Sequence, residues 1–126
     1  MMLNLRLLTS IFAFSLFAQT SMVYAKITSE ADAVNVLMQR INKSQVYAPW
    51  LKPECSAVFT ETKTAKFYEF SIHENHTENC KGDPNTSPVI DRFRVSRINK
   101  IILWYDVIND EYLPFKALIE NRKSKK

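Results

Sequence analysis

Hydrophobic and polar positions alternate in two distinct rhythms along the chain. Over residues 28–43 the apolar side chains Val34, Leu37, Met38 and Ile41 recur at helical spacing. Ser29 and Asp32 form a capping pair at the start of this stretch. Glu30 and Asp32 then fall in the first turn, where the helix dipole favours acids. The spacing predicts a helix. Residues 44–54 carry Pro49 and Pro53 and form a connection, with Tyr47, Trp50 and Leu51 expected to fold back on the core as an apolar lid.

Beyond this connection the period falls to two. Residues 56–60 predict a short strand. In residues 65–74, Tyr68, Phe70 and Ile72 alternate with Glu69, Ser71 and His73. In residues 89–98, Phe93 and Val95 alternate with Arg92, Arg94 and Ser96, and residues 101–108 predict a last strand. Asn99-Lys100 reads as a two-residue hairpin turn, with Asn99 taking positive φ. That register sets Val95 opposite Trp104 and Arg94 opposite Tyr105. One face then carries Phe93, Val95, Ile102 and Trp104, the other Arg94, Ser96, Leu103 and Tyr105. Residues 109–111 read as a turn, and residues 113–121 as a short helix. The predicted fold is α+β: an N-terminal helix packed on an antiparallel sheet of three to four strands, with one disulfide.

The first 25 residues follow neither rhythm. Arg6 precedes an uncharged apolar run, Leu7 to Ala18, and the segment ends in Val23-Tyr24-Ala25. A basic start, a short apolar run and small residues before a cut are the order of a secretory signal peptide. The run is too short to span a bilayer as a stable helix. The sequence thus divides into a leader at 1–25, one α+β domain at 26–121 and a basic tail at 122–126. Export to the periplasm or the extracellular space places Cys55 and Cys80 in an oxidising compartment, where they are expected to pair.

Composition then narrows the chemistry. The chain of 126 residues has one glycine, Gly82, which excludes the glycine-rich phosphate loops. No cofactor motif is present. The formal charge of +4 resolves into +1 from Arg6, +4 from the tail and −1 from residues 26–121, so the domain itself is nearly neutral. Export and the lack of a recognition motif point away from nucleic acid. Membrane contact is expected only through the tail.

Helix, connection and a hairpin of the form FRVSRINKIILWYD resemble the PepSY-like modules of exported bacterial proteins, and also small periplasmic inhibitor and immunity-type proteins. The resemblance covers about half of the exported portion. It implies binding or inhibition rather than catalysis and carries over no site residue.

Two regions hold the candidate binding residues. The polar loop at 73–88 contains His73, Glu74 and His76, and a long polar loop in a small domain is a frequent functional site. A metal reading would join His73 and His76 to Glu74 and Glu78. Two histidines three apart on a strand point to opposite faces, so solvated loop residues are the favoured reading and no metal is assigned. Asp83-Pro84 with Gly82 at positive φ reads as a turn pinned by Cys80. The second region is Arg92 and Arg94 on one strand face, with Tyr105 expected over Arg94 as a cation–π partner.

These features predict an exported module that binds a protein partner in the envelope or outside the cell, with no enzymatic activity: an inhibitor or immunity protein of an envelope hydrolase. Two alternatives are an adaptor whose tail touches anionic lipid or polymer, and a small metal-dependent hydrolase built on His73 and His76.

Overall fold

The computed structural model of the chain describes residues 25–125. The predicted leader, apart from Ala25, lies outside these residues, as does Lys126. Helix α1 (Glu30–Ser44) is followed by five strands, β1 (Ser56–Lys63), β2 (Phe67–Glu74), β3 (Val89–Ser96), β4 (Ile102–Asp106) and β5 (Glu111–Pro114), and by helix α2 (Phe115–Ser124). The strands form one antiparallel meander in the order β1-β2-β3-β4-β5. The α+β class holds. The sheet has five strands instead of three to four, and the short helix expected at residues 113–121 is present as α2, Phe115–Ser124.

The start of α1 follows its sequence signals. The Asp32 N–H donates to Ser29 Oγ at 3.1 Å, and Glu30 and Asp32 occupy the first turn. Gln45 closes the helix with φ 56°. The buried stripe of α1 is Ala33, Leu37 and Ile41, with Val34 and Met38 at its margin. It packs on Tyr68, Phe70, Ile72, Phe93, Val95 and Trp104, the same faces that alternation assigned inward, joined by Phe115 and Leu118 of α2. Only one face of the sheet is covered by helices, so the strands read as half-buried alternation and not as continuous apolar runs.

The β3–β4 register is displaced by two residues from the expected one. Val95 opposes Ile102, Arg94 opposes Leu103 and Phe93 opposes Trp104. Lys100, not Asn99, takes positive φ, at 59°. Ser96 Oγ accepts from the Ile98 and Asn99 N–H groups, and Asn99 Oδ1 from that of Ile101, which widens the turn. A shift of two keeps every side chain on its predicted face.

The apolar lid is only half realised. Tyr47 is buried, whereas Trp50 is 51 % exposed. Nor is residue 122 part of a free tail: α2 runs through it, and Arg122 Nη2 donates to Asp91 Oδ2 at 2.7 Å. Asp91, 7 % exposed, also accepts from Tyr47 Oη at 2.6 Å and Trp104 Nε1 at 2.8 Å. This network ties the lid, β3, β4 and α2 together. Burial, and then the Asp91 carboxylate, push the Tyr47 hydroxyl far above its ordinary pKa, so it stays a donor.

Candidate functional site

The six candidate residues divide between two surfaces. His73, Arg92, Arg94 and Tyr105 lie on the open sheet face. Glu74 ends β2, and His76 lies in the loop between β2 and β3.

That loop is pinned at several points. Cys55 and Cys80 form a disulfide with a Cα–Cα distance of 5.6 Å, inside the range such a bridge requires. The Asn75 N–H donates to the Cys55 carbonyl at 2.8 Å, and Ser87 Oγ to the Glu74 carbonyl at 2.9 Å. Asp83 organises the predicted turn, its Oδ1 accepting from the Asn85 N–H and its carbonyl from that of Thr86.

His76 sits inside this frame with its side chain only 7 % exposed. Its Nε2 lies 2.6 Å from Glu74 Oε2 and its Nδ1 2.7 Å from the Asp83 carbonyl. Acceptors at both nitrogens favour the imidazolium. The Glu74 hydrogen bond first, and then the Asp83 carbonyl, raise its pKa. The tie is therefore complete below the ordinary histidine pKa and is lost as pH rises through the raised value.

Gly82 is what admits the ring. A Cβ at this position would stand 2.5 Å from His76 Cε1 and Nε2, and φ is +114°, where side chains are strained. Gly82→Ala is expected to cost about 1–3 kcal/mol of loop order. It should also displace His76 from its acceptors. An NMR titration should then show the His76 pKa falling towards its ordinary value, and an unchanged titration would contradict this placement.

His73 points elsewhere. Its Nδ1 lies 2.8 Å from the Ser87 carbonyl, and its Nε2 2.9 Å from Ser71 Oγ, which in turn lies 2.5 Å from Glu61 Oε1. A serine beside a histidine has the spacing of a nucleophile and its base. Ser71, however, is fully buried and its hydroxyl is shared with Glu61, so the trio ties β1 to β2. The two histidines are thus held by different partners, and among the described residues no group of three His, Cys, Asp or Glu side chains is placed to hold a metal ion.

On the open face, Arg94 is stacked between the rings of Phe67 and Tyr112, 4.1 Å from each centroid, and donates from Nε and Nη2 to Glu69 Oε1 at 3.0 and 2.5 Å. The expected partner Tyr105 is not over Arg94. The two-residue shift between β3 and β4 puts Leu103 opposite Arg94, and β5 sets Tyr112 opposite Tyr105, their centroids 5.2 Å apart, with the Tyr105 hydroxyl donating to Asp110. Partial burial would raise the Glu69 pKa, but hydrogen bonds from Arg94 and Tyr112 outweigh it and lower it.

Arg92 differs from Arg94. It is exposed on β3, the central strand, and among the described residues it makes no ion pair. Phe59, 49 % exposed, packs edge-on against His73 with centroids 4.6 Å apart.

Beside the pinned loop runs a groove of about 430 Å³, bounded by residues 48–52 on one side and by Cys55, residues 74–76 and residues 79–81 on the other. Trp50 lines it, whereas the sequence predicted Trp50 folded back on the core as part of an apolar lid. Two prolines around an aromatic residue in an irregular connection were the available signal. Glu69, the partner of Arg94, was legible only with the β2–β3 register in hand.

Set against known proteins, the chain matches no family model, no curated protein and no solved structure.

Proposed function

We propose that the protein is an exported protein-binding module, an inhibitor or immunity-type partner of an envelope hydrolase, and that the open sheet face is its contact surface. The leader pattern and the disulfide support export. Among the described residues no helix is long and apolar enough to cross a membrane.

Arg92 is the observation that carries the reading. Arg94 and Arg122 are neutralised by carboxylates within the fold, whereas Arg92 stands unpaired at the middle of a sheet face that also bears Phe59, Tyr105 and Tyr112. Arginine and aromatic side chains on a rigid support are the residue types that dominate interface energetics. An unpaired guanidinium selects an acidic partner surface, and the cleft of a hydrolase that works with paired carboxylates is such a surface. The resemblance to periplasmic inhibitors agrees with this reading.

Retention of envelope proteins on the immobilised protein tests it. The wild type should retain a hydrolase and lower its activity in solution. Arg92→Glu, an exposed change that leaves the core untouched, should weaken retention at least about tenfold. If no specific protein is retained, or if Arg92→Glu retains it equally well, the proposal fails.

A further inference from the structure

Trp50 stands between two grooves. The first is the 430 Å³ groove beside the pinned loop; the second, about 400 Å³, lies between the end of α1 and the end of α2. Pro49 and Trp50 line both. The indole is 51 % exposed, yet it is not loosely held. The ring meets that of Tyr47 edge-on at 5.7 Å, the Trp50 backbone N–H donates to the Tyr47 carbonyl at 3.1 Å, and Tyr47 is anchored to Asp91. An exposed indole held against a buried tyrosine offers a flat apolar face to a ligand in either groove.

The charges around it have one sign. Lys52 and Lys81 line the first groove, Lys123 and Lys125 the second, and all four are exposed. The one acidic residue in either lining is Glu74, and its carboxylate is taken by His76. Lys125 acts on Asp106 only at longer range, the Asp106 oxygens being engaged by Asn109 and the Ile108 N–H. Lys52 and Lys81 come from the nearly neutral stretch 26–121 and Lys123 and Lys125 from the basic C-terminal run, so the fold gathers cations from two parts of the chain around Trp50.

We infer that the two grooves and the Trp50 ridge form a binding site for a linear anionic polysaccharide, independent of the open sheet face. A sugar ring can lay its C–H face on the flat indole. Carboxylate, sulfate or phosphate groups on the neighbouring units then meet a lysine pair on either side. Two grooves meeting at a ridge suit a strand that passes over Trp50, whereas a flat lipid surface would leave both grooves unfilled. Such a polymer would concentrate an exported protein at the cell envelope.

The test uses oligogalacturonate as the anionic strand, neutral dextran as its uncharged counterpart, and vesicles of mixed zwitterionic and anionic phospholipid, with the full protein purified with its disulfide intact. Oligogalacturonate should shift the Trp50 fluorescence and bind more weakly as salt rises. Dextran should not bind, and the vesicles should bind at least tenfold more weakly than the oligomer. Lys52→Gln with Lys81→Gln, and separately Lys123→Gln with Lys125→Gln, should each lower oligomer affinity about tenfold. Trp50→Ala should lower it similarly, with Trp50→Phe retaining part of it, while Arg92→Glu leaves it unchanged. Preference for vesicles, absence of oligomer binding, or unchanged affinity in both lysine variants overturns the inference.

Discussion

Replacing Asp91 by alanine is expected to lower the unfolding free energy by about 3–5 kcal/mol, the range for breaking one side of a buried ion pair. Asp91 is 7 % exposed and accepts from Tyr47, Trp104 and Arg122. Its removal strands a buried phenol and a buried indole N–H, each a donor without a partner. Arg122 retains some access to water, its side chain being 27 % exposed, which places the expectation near the lower end of that range. Asp91→Asn should cost less, because one oxygen still accepts from Trp104 Nε1. Urea unfolding of the three proteins decides the matter through the midpoint shift at constant slope. A loss below about 1 kcal/mol for the alanine variant would show that the network does not tie α2 to the sheet.

Removing the disulfide should have an effect of similar size. Cys55 and Cys80 are separated by 25 positions. On the chain-entropy model a bridge closing such a loop stabilises by about 3.5 kcal/mol. The double variant Cys55→Ala with Cys80→Ala avoids placing a hydroxyl at Cys55, which is 7 % exposed. Its unfolding midpoint should drop by the corresponding amount, and the wild type in excess reductant should move towards it. The loss matters because a domain of this size has only about 5–15 kcal/mol in hand. A wild-type midpoint unaffected by reductant would mean that the loop is held by its hydrogen bonds alone.

These two effects differ in how visible they were in the sequence. A pair of cysteines in a chain with a leader pattern announces a bridge. The Asp91 network did not announce itself: its bonded pairs are up to 44 positions apart and join the connection after α1 to β3, β4 and α2, so only the folded register brings them together. Arg122 lay in a run of basic residues, where a solvated tail is the ordinary reading, and its partner was unrecognisable without β3.

Elements with a strong period were legible. Alternation in β2 and β3 fixed the buried faces, and the capping serine fixed the start of α1. Strand β5 was missed because Tyr112, Leu113 and Pro114 run straight into the apolar positions of α2, and a four-residue edge strand is too short to show a period. The β3–β4 turn was misread because the side-chain oxygens of Ser96 and Asn99 cap backbone N–H groups, a choice that local propensity does not reveal. At the candidate sites, the residue types were legible and their company was not. Arg92 and Arg94 look equivalent on one strand, yet Glu69 and two aromatic rings neutralise and cover only Arg94.

Whether the partner contacts the open sheet face is decided by amide chemical shifts of the labelled protein, recorded with and without the purified envelope partner. Perturbations should concentrate on Phe59, His73, Arg92, Tyr105 and Tyr112, with the exposed side of α1 unchanged. Perturbations confined to α1 or to the far ends of the helices, with the sheet face silent, would contradict it.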